Sequence, residues 1–269
     1  QTEFFAGELS LNEVTAGIDL AREWGAGFLA SPLHLALGAA WRHENYQIEP
    51  GEEASFLQGG HPNRLGDPAP PPGSQVFAGF QVPVDEGRSN FGVYTDLEGS
   101  LTTQLLANVA ARFESYSDFG EKLTGKLALR FQPTRQFVLR GAVSTGFRAP
   151  ALSQQFYQST VTNFMQGEGG EPVAFEAGIF PVEHPAAVAL GAEPLDEETS
   201  VNVSGGLAIT PVERLTFTAD FFYITIDDRI ILTSEVSGPA IEEILDEAGV
   251  PEVQAARFFT NGLDTETRG

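Results

Sequence analysis

The chain has 269 residues, 37 acidic against 15 basic, and a formal net charge of −22. That balance argues against nucleic-acid phosphate as a partner, because phosphate binding needs clustered Lys and Arg. The lack of cysteine excludes a disulfide, a thiolate nucleophile and a Cys-ligated metal within these residues.

A charged fraction of 19% with 29 Gly and 21 Phe suits a large β structure whose acidic charge sits in loops. Residues 1–8 carry neither the basic nor the apolar region of a signal peptide. No run approaches the ~18 apolar residues of a membrane-spanning helix. The chain opens without Met and stops in a polar segment, 265–269, that reads as the approach to another strand. The expectation is an internal piece of a longer protein.

Period-2 alternation dominates and helical period is rare. In chain order it predicts strands near 9–22, 32–48, 89–99, 104–117, 121–132, 136–148, 197–210 and 214–230. The first is the weakest, with Val14, Ala16, Ile18 and Leu20 as its apolar set. The clearest are Leu123, Gly125, Leu127, Leu129 and Phe131 against Thr124, Lys126, Ala128 and Arg130, and Phe137, Leu139, Gly141, Val143, Thr145 and Phe147 against Val138, Arg140, Ala142, Ser144 and Gly146. Most of these runs exceed the ~5–6 residues of an ordinary strand and reach the ~9–11 that a tilted strand needs to cross a bilayer.

If each connection reverses direction, the connections sort by side. Short turns at 99–103, 132–136 and 210–213, with a medium one at 23–31, fall on one side. The long connections 49–88, 149–196 and 231–262 fall on the other, with a short one at 117–120. Outer-membrane barrels sort their turns and loops this way. The long loops are acidic: no Lys or Arg occurs from Ala149 to Glu213. The third long loop carries the one helix pattern. Gly238-Pro239 starts it, Ile241, Ile244, Leu245 and Ala248 share a face, and Gly249 stops it. It reads as a loop helix packing on the barrel rim. The acidity reads first as what keeps exposed loops soluble; it also concentrates cations, which would favour a cationic or neutral ligand over a free anionic one.

No enzyme signature and no catalytic residue emerges. Asp227 and Asp228 are adjacent on a strand and point to opposite faces, so they read as a solvated strand end. Asp196-Glu197-Glu198 lacks the spacing of a calcium loop and reads as a solvated acidic patch. His34, His43, His61 and His184 are scattered without zinc-site spacing. Ser144 and Ser153 lack a nucleophile-elbow context. The Gly run at 167–170 has no strand-to-helix setting or Lys, and the Pro-rich stretch 68–73 is a stiff loop piece. No metal and no cofactor is expected. Loop aromatics are the candidate ligand contacts: Phe77, Phe80, Phe156, Tyr157 and Phe164, with Phe56, Phe175, Phe180, Phe258 and Phe259 as further members. They could equally pack loop against loop.

One segment is far more specific. Leu139 to Leu152 contains Ser144-Thr145-Gly146-Phe147-Arg148-Ala149-Pro150, and it strongly resembles the signature strand of TonB-dependent outer-membrane receptors. Two further segments are similar to the same family. Residues 215–230 end in Asp227-Asp228-Arg229-Ile230, and 261–269 run from Asn261 to Thr267-Arg268-Gly269. The region before Gly120 matches in style only.

The resemblance implies an energy-coupled importer in the outer membrane. Such a receptor is a 22-stranded barrel with an N-terminal plug, taking up ferric siderophores, cobalamin, saccharides or similar small extracellular ligands. Its implied partners are outer-membrane lipid, the plug domain and TonB. Residues 1–269 are then expected to be a partial barrel domain, without plug, TonB box or terminal strands, that supplies wall and outer loops. The fold class expected is all-β: an antiparallel transmembrane barrel segment of about eight long strands with long outer loops and one short loop helix. The rivals are a small closed eight-stranded outer-membrane barrel with a structural or adhesion role, and a secreted carbohydrate-binding β-sandwich.

Overall fold

The computed structural model describes residues 3–57, 79–166 and 172–269. Phe77, His61, the Pro-rich stretch 68–73 and the Gly run 167–170 lie outside them, as does the side chain of Phe164. Long antiparallel strands dominate: β1 Gly7–Trp24, β2 Leu33–Pro50, β3 Val84–Ser100, β4 Leu105–Tyr116, β5 Gly120–Thr134 and β6 Phe137–Arg148. After α1 (Leu152–Phe156), β7 Ser159–Gln166, β8 Pro172–Ile179 and α2 (Pro185–Ala189) come β9 Glu198–Val212 and β10 Leu215–Leu232. The chain closes with β11 Val236–Ser237, α3 (Pro239–Glu247), β12 Ala255–Arg257 and β13 Phe259–Arg268.

All the expected strands are present, mostly longer than the alternation indicated. The expectation of eight is corrected to thirteen among the described residues. A ninth wall strand, β13, pairs with β10, so the main sheet has the order β1-β2-β3-β4-β5-β6-β9-β10-β13. Four shorter strands form a second sheet, β11-β12-β8-β7, from the two long loops after β6 and β10. These strands carry no clear alternation; among their described side chains Thr162, Ala177, Ala255 and Ala256 are buried by loop packing. The single expected helix is likewise joined by α1 and α2, each only five residues long.

The register explains the periodicity. One face carries an unbroken apolar row of directly opposed residues: Leu35, Leu97, Val109, Leu127, Val143, Val203 and Tyr223. A second row runs Ile18, Ala39, Val93, Phe113 and Leu123. Most of these side chains are partly to highly exposed, up to 61% at Ile18 and 73% at Leu123, as suits side chains whose solvent is hydrocarbon. The opposite face carries the charges. There, Arg140 reaches across β9 to Asp220 with Nη2–Oδ distances of 2.7 and 2.8 Å. The pair passes over Gly206, where a Cβ would lie 2.1 Å from the Asp220 carboxylate.

Apolar burial is concentrated at the end that carries the long loops. One cluster joins both loops: Phe180, Val182, Ala186, Ala187 and Ala192 from the first, and Leu245, Val253, Ala256 and Phe258 from the second. The parallel pairing of β12 with β8 (Ala255 to Ala177) fastens them further. The two loops thus fold into one outer lobe. α3 contributes Leu245, fully buried, with Ile241 and Ala248 against the same cluster. The helix packs in this lobe and not directly on the barrel rim.

Candidate functional site

The signature residues lie at the outer end of β6 and just beyond it. Ser144 is on the lumenal face, opposite Lys126 and Asn202. Thr145 Oγ1 accepts from the Gly125 amide at 3.1 Å. Gly146 pairs with Ser200 of β9 and leaves room for its hydroxyl, since a Cβ there would stand 2.8 Å from Ser200 Oγ. Phe147 meets Tyr116 and Phe119 edge-on, with ring centroids 5.9 and 6.4 Å away. Ala149 and Arg148 line a concavity of about 440 Å³ beneath α1, together with Arg42, Glu44 and Tyr46. Pro150 is fully buried.

Two cations organise this rim. Arg148 grips Glu198 with two donors, Nε to Oε2 at 2.9 Å and Nη2 to Oε1. Glu198 Oε1 also accepts from the Ile230 amide at 2.9 Å. That links β6, β9 and β10. Arg88, only 5% exposed, donates to Glu44 Oε2 at 2.7 and 3.0 Å and to the Pro150 carbonyl at 2.7 Å. It also approaches Asp118 at 3.5 Å and lies over the Tyr116 ring. That links β2, β3, the β4–β5 turn and the signature itself. Charge-assisted bonds of this kind are the strong ones, and a buried cation requires them.

The other two family-like segments meet at the same edge. Asp228 has φ 57° and sits where β10 shifts register against β13. Asn261 Nδ2 donates to the Asp228 carbonyl at 2.7 Å and the Asp196 carbonyl at 3.0 Å. Its Oδ1 accepts from the Asp196 amide at 2.9 Å. The three segments therefore form one polar fastening between wall and outer lobe. This corrects two readings. Glu198 is buried and Glu197 pairs with Lys122, so 196–198 is no solvated patch. The connection expected over 49–88 ends earlier, because β3 begins at Val84, which makes Arg88 a strand residue. Asn261 was visible only as part of a motif, and Glu44 carried no signal beyond its place in an alternating run.

The candidate ligand aromatics divide. Phe80, Phe156 and Tyr157 pack against buried Tyr46, Ile48 and Leu152, with Phe80 edge-on to Tyr157 at 6.1 Å. Phe180 and Phe258 are buried in the lobe. Two titratable groups also sit in the lobe. Burial pushes the Glu176 carboxyl up, the Thr162 hydroxyl bond at 2.5 Å pulls it back, and Glu252 adds to the rise. Burial pushes His184 down; its Nδ1 accepts from the Ala186 amide at 3.2 Å, and the ring stacks on Phe180.

Comparison with known proteins decides what this wall belongs to. The TonB dependent receptor-like, beta-barrel family matches residues 8–269. The chain belongs to the TonB-dependent receptor family. Its place is therefore the outer membrane. Among curated proteins none matches in sequence.

Solved structures share the fold. The siderophore receptor PirA of Pseudomonas aeruginosa has a TM-score of 0.64 at 16% identity, over 97% of this chain and 39% of that one. A ferric enterobactin receptor (PfeA) of the same organism, solved with enterobactin, gives 0.64 at 16%, over 97% and 33%. The outer-membrane transporter YddB of Escherichia coli gives 0.64 at 10%, over 97% and 30%. The chain thus spans about a third of the length of these receptors.

Proposed function

We propose that this chain is a partial barrel domain of a receptor that binds a scarce extracellular ligand and imports it with energy from TonB. The ligand class is a ferric siderophore, with cobalamin or a saccharide as the alternatives. A plug region of the same receptor occupies the lumen. The observation that carries the reading is the match to the receptor-barrel family over residues 8–269. The two-faced wall supports it: apolar rows outward, charges inward, folded loops gathered at one end. A small closed barrel fits less well, because the wall sheet has nine strands and leaves β1 and β13 as edges, whereas single-chain bacterial barrels have even strand numbers.

Within this reading, the half-buried Phe80, Phe156 and Tyr157, with Phe77 and Phe164, are proposed as ligand contacts. The test is growth of a strain deleted for the full-length receptor on a panel of iron-charged siderophores under iron limitation. Loss of uptake of at least one, restored by the gene and dependent on TonB, is expected. Unchanged TonB-dependent uptake of every ligand, cobalamin and saccharides included, would refute the function.

A further inference from the structure

Of the eight asparagines in the chain, Asn261 alone is followed by glycine. That dipeptide carries its own chemistry. The backbone nitrogen of the following residue can attack the asparagine Cγ, and glycine offers no Cβ to block the approach and the widest choice of backbone angles. In this chain the reactive pair stands where three segments are tied together. Asn261 Nδ2 donates to the Asp228 carbonyl at 2.7 Å and to the Asp196 carbonyl at 3.0 Å, while Oδ1 accepts from the Asp196 amide at 2.9 Å.

The register makes the following residue unusual as well. Asn261 pairs with Ile230 and Leu263 with Arg229, so Gly262 is the extra residue of a bulge in β13. The extra residue of a bulge stands outside the pairing of the ladder, which leaves the attacking nitrogen less constrained than that of a regular strand residue. The side chain is the constrained half. Its three bonds fix the amide group, so rotation of Cγ toward the Gly262 nitrogen requires breaking them. Reaction then proceeds from the locally opened state, and its rate follows the population of that state.

We propose that Asn261 is a deamidation site coupled to the outer lobe: it converts when the fastening opens, and conversion keeps the fastening from closing again. The Gly262 nitrogen gives its proton to solvent and bonds to Asn261 Cγ. The Cγ–Nδ2 bond breaks, and ammonia leaves with a proton from solvent. Water then opens the cyclic imide at either carbonyl carbon, giving aspartate or isoaspartate. One water is consumed, one ammonia is released, and nothing is oxidised or reduced. The product carboxylate has no proton to donate, so the Asp228 and Asp196 carbonyls lose their donor and face an anion instead. That anion adds to Asp228 and Asp264, which already meet through the Asp228 amide and Asp264 Oδ1 at 3.0 Å. Isoaspartate also reroutes the backbone through the side chain and breaks the pairing of β13 with β10. The proposal does not depend on which ligand the receptor takes.

The test follows residue 261 of the full-length receptor by peptide mass spectrometry during incubation at mildly alkaline pH. The receptor is held folded in detergent, in sub-denaturing urea, or fully unfolded. Gly262→Ala is the control. The nearest atoms that its Cβ would meet lie on Thr260 and Ile231, at 3.5 and 3.7 Å, and φ at Gly262 is not left-handed, so the fastening is kept while the attack is hindered. Expected is conversion in the unfolded chain, several-fold slower conversion in the folded receptor, acceleration by sub-denaturing urea, and strong slowing by Gly262→Ala throughout. Protease cleavage within 231–258 should rise in step with the converted fraction, and Asn261→Asp should reproduce that rise without incubation. Absence of conversion in the unfolded chain would overturn the site. Equal rates in folded and unfolded receptor, or converted receptor with unchanged cleavage, would overturn its coupling to the lobe. The converted wild-type receptor is folded at the outset, so this reading does not rest on the folding of a variant.

Discussion

Replacing Arg88 with Met removes a buried cation and keeps most of the volume. The guanidinium is 5% exposed and holds Glu44, Asp118 and the Pro150 carbonyl. Its loss leaves the Glu44 carboxylate, 15% exposed, without its close partner and the Pro150 carbonyl without the shortest of its bonds. Removing one member of a buried pair costs about 3–5 kcal/mol. Glu44 retains a distant contact to Arg42 at 3.8 Å, and water reaches the rim, so about 3 kcal/mol is the expected loss. Because every 1.4 kcal/mol is tenfold, the opened state of the segment after β6 rises roughly a hundredfold. Limited proteolysis of the full-length receptor in detergent reads this directly: cleavage within 149–158 accelerates while the membrane-embedded wall stays resistant. Arg88→Lys, which keeps the charge but not the fork, falls between. Wild-type cleavage rates in Arg88→Met would show that the fastening does not hold this segment.

Three further outcomes follow from the same rim and lobe. Asn261→Ala leaves the Asp228 carbonyl and both Asp196 backbone groups without their side-chain partner and costs about 1–3 kcal/mol; hydrogen exchange should quicken near 196 and 228 and stay unchanged in β5. Ala177→Cys with Ala255→Cys, on directly paired residues of β8 and β12, whose Cα atoms fall within disulfide reach, should cross-link and raise protease resistance of both loops together; a cross-linked pair with unchanged resistance in either loop would mean that the two loops do not open together. Glu176→Gln should stabilise the lobe at neutral pH. The folded carboxyl is raised, so its contribution is fully present below the unfolded value and is lost as pH rises through the folded one. His184 acts in the opposite sense: its contribution is present above the unfolded value and lost as pH falls through its depressed one. A pH profile of lobe proteolysis that is unaltered by Glu176→Gln would remove the first effect.

The wall was legible because a membrane strand has two solvents. Leu123, Leu127 and Phe131 face hydrocarbon while Lys122, Lys126 and Arg130 face the lumen, and period 2 records this without ambiguity. The outer lobe was not legible. β8 and β12 are buried by loop packing, so Ala177, Ala255 and Ala256 carry no alternation. The rim was half legible. The signature around Arg148 stood out as a motif, but its partners Glu198 and Arg88 come from distant sequence positions. Glu198 read as one charge among many in an acidic loop. Only the fold shows that it is the acid that Arg148 needs.

The most direct measurement is spin-label accessibility along β5 of the full-length receptor in lipid bilayers, with single cysteines placed in turn at 122–131. These residues bring no native cysteine background. Strict alternation is expected: labels at 123, 125, 127, 129 and 131 are reached by oxygen from the lipid, and those at 122, 124, 126, 128 and 130 are shielded from it. A profile without period 2, or with the charged positions facing lipid, would contradict the assignment of this chain to the wall of an outer-membrane barrel.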